Sequence, residues 1–134
     1  MREVSIEYLT GLFDGEGAVY MSGREYRNAV VVSFTNTNKE LAELFRVRWG
    51  GKVHGFQPKK GRLIYKWNRC QFQAKPFIEA ILPFSIEKKE LLELALKYIE
   101  CIPFRLRIPH DSPAGLRRQA IALEIFTAQK RHKG

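Results

Sequence analysis

Asp14 and Glu16 stand either side of a single glycine in the stretch Leu9-Thr10-Gly11-Leu12-Phe13-Asp14-Gly15-Glu16-Gly17. Carboxylates so placed are hard oxygen donors of the kind that hold a divalent cation. The residues before them read as a short amphipathic helix, with Leu9, Leu12 and Phe13 at i, i+3 and i+4 on one apolar face. Thr10, Gly11, Asp14 and Gly15 take the opposite side, which is small and flat. Each of those glycines costs about 1 kcal/mol relative to Ala inside a helix. A solvent-facing helix gains nothing from that, whereas a second backbone packed very close requires it. The helix must stop near Gly15-Glu16-Gly17, so both acids fall at its negative end, where they are unfavourable without a cation. A glycine helix that packs closely and ends in acids reads as a metal site built at an interface. The plainer alternative is a glycine-rich turn after a core helix, with exposed acids.

The whole nonapeptide resembles the signature of the LAGLIDADG homing endonucleases. Leu9, Gly11, Leu12, Asp14, Glu16 and Gly17 match its first, third, fourth, sixth, eighth and ninth positions, while Thr10 and Phe13 replace the usual alanine and isoleucine. Glu16 stands where Asp is more usual. Chains with one such motif are homodimers in that family, and only one copy is present here. The resemblance therefore implies two copies meeting along Thr10, Gly11, Asp14 and Gly15. Glu16 and the Gly15 carbonyl would hold Mg²⁺, which activates water and offsets charge on the phosphate. The implied reaction is hydrolysis of both strands of a long pseudo-palindromic double-stranded DNA target, leaving 3′ overhangs, in the service of intron or intein mobility. No small-molecule cofactor is implied.

The same resemblance assigns two supporting residues. Asn38 matches a position that orients the attacking water; an N-cap is its alternative role. Lys88, with Lys89 as a fallback, matches a catalytic lysine near the scissile phosphate; a surface lysine in a first helical turn is the alternative. Ala42 occupies a position that is basic in some relatives, which leaves transition-state charge to Lys88 or to an arginine elsewhere in the chain.

Composition agrees with a polyanionic partner. The chain of 134 residues carries 23 Lys and Arg against 14 Asp and Glu, a net charge of +9. A basic balance of that size in one small domain favours nucleic acid. No long apolar span or lipidation motif supports a membrane. The apolar fraction of 45% argues against disorder. Cys70 and Cys101 lack metal-ligand spacing, and the start is no signal peptide, so an intracellular protein, in cytoplasm or an organelle, is expected.

Along the chain, Ser5 is a candidate N-cap for the first helix. After Gly17 the period changes to two. Residues 18–22 and 28–35 read as neighbouring strands, joined by a polar stretch containing Arg24 and Tyr26. Thr37 to Glu40 fit a capping box that starts a helix closed by Gly50-Gly51. Residues 52–57 and 63–71 read as two more strands around a basic turn. A short helix over 75–81, a longer one opened by Ser85 or Ile86 and running to about Glu100, and a last one from Pro113 to about Gln129 follow, with 130–134 as a frayed basic tail. The expected class is α+β, in the order αββαββα. A four-stranded antiparallel saddle-like sheet would face DNA, with helices on its other side and further helices at the C-terminus.

Strand alternation turns Tyr20, Ser22, Arg24, Tyr26, Ser33 and Thr35 outward, and on the later strands Lys52, His54, Lys66 and Asn68. With Lys59, Lys60 and Arg62 of the basic turn they form the expected DNA-reading set. A two-stranded ribbon fits the major groove, where all four base pairs are distinguishable. Two other functions would use the same scaffold: an RNA-splicing maturase, and a DNA-binding regulator without catalysis.

Overall fold

The structure is a computed structural model, and it describes residues 3–22, 29–101 and 113–133. Arg24 and Tyr26 lie outside the described residues.

Helix α1 (Ile6–Glu16) starts where expected, because the Ser5 hydroxyl accepts from the Tyr8 N–H at 3.1 Å. Strands β1 (Gly17–Ser22) and β2 (Ala29–Asn36) follow directly. Helix α2 (Lys39–Trp49) is capped by Asn38 in place of Thr37: its side-chain oxygen accepts from the Glu40 N–H at 3.0 Å. Strands β3 (Val53–Phe56) and β4 (Ile64–Cys70) precede helix α3 (Lys75–Ile81). Helix α4 (Lys89–Glu100) begins later than Ser85, since residues 85–88 are spent on a turn that binds α1. Helix α5 (Pro113–Lys133) runs past the expected end near Gln129.

The four strands form one antiparallel sheet in the order β1-β2-β4-β3. The α+β class and the αββαββα order are therefore those expected. Among the described residues no helix is long and apolar enough to cross a membrane.

Aromatic side chains on the inner face of the sheet fix the helices. Phe45 of α2 stacks on Phe34 of β2 with ring centres 4.5 Å apart. Phe77 of α3 meets Trp67 of β4 at 5.2 Å and Phe13 of α1 at 4.9 Å, both edge-on. Edge-on and offset pairs add to the large area such rings bury. Through Phe13 the end of α1 is anchored to the same core that carries the sheet.

Two turns of β3 and β4 contrast. Gly50 and Gly51, at φ +81° and +91°, end α2 in a conformation open to glycine. The Trp67 indole N–H donates to the Gly50 carbonyl at 2.8 Å, and the Arg69 side chain lies across both glycines with its Nε buried. Gly61, between β3 and β4, has no neighbour within 4 Å of where a Cβ would stand.

Candidate metal centre and nucleic-acid interface

Helix α1 has one face closed by its own chain and one left open. Leu9, Thr10 and Phe13 are buried, and the Thr10 hydroxyl donates to the Ile6 carbonyl at 2.8 Å. Thr10, expected on the dimer interface, is only 1% exposed in the single chain, so it has no surface to offer a second copy. The reason is angular: with Leu9 and Phe13 buried, the position one residue after Leu9 also turns inward. Leu12, expected inward, is half-buried. It borders the open face, where Tyr8, Gly11 and Gly15 are exposed. A Cβ on Gly11 or Gly15 would meet nothing within 4 Å, whereas one on Gly17 would stand 2.4 Å from the Phe13 ring.

Asp14 also departs from expectation. It was expected on the interface, at a negative helix end that only a cation could relieve; instead it is turned to its own chain. One carboxylate oxygen accepts from the Ser85 hydroxyl at 2.6 Å, and the other from the Ile86 and Glu87 N–H groups at 2.7 and 3.2 Å. Burial acts to raise its pKa, but the hydrogen bonds from Ile86, Ser85, Glu87 and Lys88 outweigh it and hold the carboxyl below its ordinary value. The same residue's main-chain carbonyl accepts from the Lys88 ammonium at 2.9 Å. Lys88 is half-buried at the N-cap of α4, and among the described residues its ammonium, which has three donors, uses one on the Asp14 carbonyl.

Glu16, the last residue of α1, is exposed. One of its carboxylate oxygens accepts from the Asn36 side-chain amide. The Asn36 side-chain oxygen in turn accepts from the Asn38 N–H at 2.8 Å, which fixes which end of the amide faces Glu16. Asn36, not Asn38, is therefore the amide at the carboxylate; Asn38, expected to be catalytic, serves as the α2 cap. Counting down the hairpin would have found Asn36. The antiparallel pair Gly17↔Phe34 carries Asn36 back toward the end of α1. Ala42 is fully buried in the core.

Among the described residues no three His, Cys, Asp or Glu side chains cluster as a metal site. What one chain offers is Glu16 with the adjacent Gly15 carbonyl. Both donors are oxygen, a set that suits Mg²⁺ or Ca²⁺ and not soft metals. Two such half-sites, brought together across the open glycine face, would supply two carboxylates.

The outer face of the sheet carries most of the expected reading set. The register pairs Ser22 with Ala29, Tyr20 with Val31, Ser33 with Asn68, Thr35 with Lys66, and Lys66 with His54, all on the side away from the core. Lys66 stands 6.0 Å from the centre of the Tyr20 ring. Ser33 is a correction: it lies on that face at mid-sheet but is only 5% exposed, too short a side chain to clear its neighbours. Lys52 is exposed just before β3, and Lys59, Lys60 and Arg62 are exposed in the turn after it. Phe56, paired with Ile64 on the same face and 45% exposed, was not in the expected set.

No protein-family model and no curated protein matches the chain. Solved structures do. I-Vdi141I, an archaeal intron-encoded homing endonuclease complexed with DNA, is similar at a TM-score of 0.71 and 19% identity, over 91% of this chain and 82% of its own. The homing endonuclease I-TnaI gives a TM-score of 0.69 at 16% identity, over 98% of this chain and 95% of its own. The LAGLIDADG homing endonuclease I-GzeII, in complex with a DNA target, gives 0.69 at 16% identity over 92% of this chain but 44% of its own. A single fold unit here corresponds to about half of that larger chain. The chain has the fold of the LAGLIDADG homing endonucleases.

Proposed function

We propose that the protein is a homodimeric, site-specific DNA endonuclease of the intron- or intein-homing kind, which hydrolyses both strands of a long, nearly palindromic duplex and leaves 3′ overhangs. The observation that carries this reading is the open face of α1. Gly11 and Gly15 lack any neighbour of their own chain where a Cβ would stand, and that bare face ends at an exposed carboxylate, Glu16. A helix gives up about 1 kcal/mol at each glycine, which a second close-packed helix can offset. In a symmetric pair the two Glu16 carboxylates meet at the centre of the molecule, above the duplex lying on the two outer sheet faces.

Glu16 and the Gly15 carbonyl would hold the divalent cation, which when bound supplies a more acidic water and charge stabilisation at the phosphate. The chain's own residues do the remainder. Asn36 keeps the Glu16 carboxylate oriented through its amide N–H. Lys88 presents N–H donors and a positive charge where a scissile phosphate oxygen gains negative charge. Tyr20, Thr35, His54, Lys66 and Asn68 face base edges, and Lys59, Lys60 and Arg62 face phosphates at the end of the sheet. Each good bidentate base contact contributes about 1–3 kcal/mol of discrimination.

The test is cleavage of a randomised duplex library with Mg²⁺, alongside Ca²⁺ and Glu16→Gln controls. Metal-dependent double-strand cuts at one nearly palindromic site are expected. Specific binding without cutting would replace the enzyme with a regulator, and activity on structured RNA alone would replace it with a maturase.

A further inference from the structure

We propose that Asp14 is a positioning residue for the reaction: with Ser85 it clamps the turn before α4 onto the end of α1, and so holds the Lys88 ammonium at the Asp14 carbonyl, two residues before Glu16. The inference rests on the reading of Lys88 as the phosphate-facing lysine of the nuclease.

Asp14 does two things at once. Its carboxylate takes three hydrogen bonds from the 85–87 turn, and its main-chain carbonyl takes one from Lys88. The lysine backbone is fixed from the other direction, since its carbonyl accepts from the Leu92 N–H at 2.9 Å and opens α4. The ammonium is thus held at the junction of two helices far apart in the chain. A free lysine loses rotamer entropy when it is ordered. Here the clamp meets that cost before substrate arrives.

The clamp is local. Phe84, Ile86 and Glu87 around it are exposed, Ile86 to 83%, and the buried member of the turn is the polar Ser85, which is bonded to Asp14. Removing one acceptor from Asp14 would free the turn while leaving the Phe13 anchor of α1 in the core. Both Asp14 carboxylate oxygens accept hydrogen bonds from its own chain, so its direct contacts are with the turn.

The experiment is a double-mutant cycle of Asp14→Asn and Lys88→Ala in the full-length protein, read as single-turnover cleavage with saturating protein, with duplex affinity measured in Ca²⁺. Asp14→Asn alone is expected to slow cleavage roughly 10- to 100-fold, the scale of a misplaced catalytic group, with affinity unchanged. In the Lys88→Ala background it should slow cleavage little further. Equal losses in both backgrounds would mean a merely structural acid and overturn the proposal. Ser85→Ala, which removes one bond of the clamp, serves if Asp14→Asn does not fold. A second readout does not depend on cleavage: the rate at which Lys88 is acetylated by a small anhydride, followed by mass spectrometry. It should rise in Asp14→Asn or Ser85→Ala, and an unchanged rate would sink the clamp. A wild-type protein that cuts no duplex would instead defeat the nuclease reading, with the acetylation rates still deciding whether Asp14 holds Lys88.

Discussion

Gly17 and Gly11 belong to the same nine-residue stretch, yet their surroundings differ completely. At Gly17 the chain itself forbids a side chain, because the Phe13 ring occupies the place a Cβ would take. At Gly11, and at Gly15, the chain leaves that place empty. The first glycine serves the fold of one protomer: it lets α1 run into β1 without pushing Phe13 from the core. At the other two, no described residue comes within 4 Å of the place a Cβ would take. One requirement on the helix is thus imposed from within, and the proposed dimer would impose the other from outside.

That contrast can be broken by substitution, and the largest effect belongs to the open side. Glu16→Gln should abolish cleavage while thermal stability and duplex binding stay at wild-type levels; loss of binding as well would make Glu16 a structural residue. Next, Gly11→Leu should leave a folded protomer that sediments as a monomer, since nothing of its own chain is displaced. A fully active dimer from this variant would remove the distinction between the two faces. On the closed side, Gly17→Ala should lower stability by about 1–3 kcal/mol, the usual cost of overpacking. Denaturant unfolding would reveal it, and an unchanged midpoint would mean that Phe13 moves aside freely. The smallest effect is expected away from α1: Asn38→Ala removes a helix cap, worth about 1 kcal/mol. Cleavage at a temperature well below unfolding should persist, whereas its loss would restore Asn38 to the chemistry in place of Asn36.

Much of the fold was legible because it depends on local period and punctuation. Ser5, the Gly50-Gly51 stop and the switch to alternation after Gly17 each act within a few residues, so they mark their elements directly. Helical angle alone was less reliable at the edges of a face. Thr10 and Leu12 are neighbours of Gly11, and the buried arc of α1 took the threonine and half-released the leucine. The place of Glu16 was legible, because an exposed residue at the end of α1 follows from where the helix stops. The site was hidden where a residue's role comes from a contact across the chain. Asp14 meets residues 85–88 only in three dimensions, and no spacing in the nonapeptide announces that partner. The Asn36–Glu16 hydrogen bond is set by antiparallel register, which a count along the chain alone does not follow.

The two turns that flank β3 also bear on how the chain can change in length. The Gly50-Gly51 turn lies under Arg69 and is bonded to the Trp67 indole, so one added residue there would displace two side chains lodged against the sheet. The stretch around Gly61 is exposed and has open space beside it. Exposed loop tips are where insertions are accepted. Among the described residues, the β3–β4 hairpin is therefore a place where the chain can lengthen while its interior packing stays as it is.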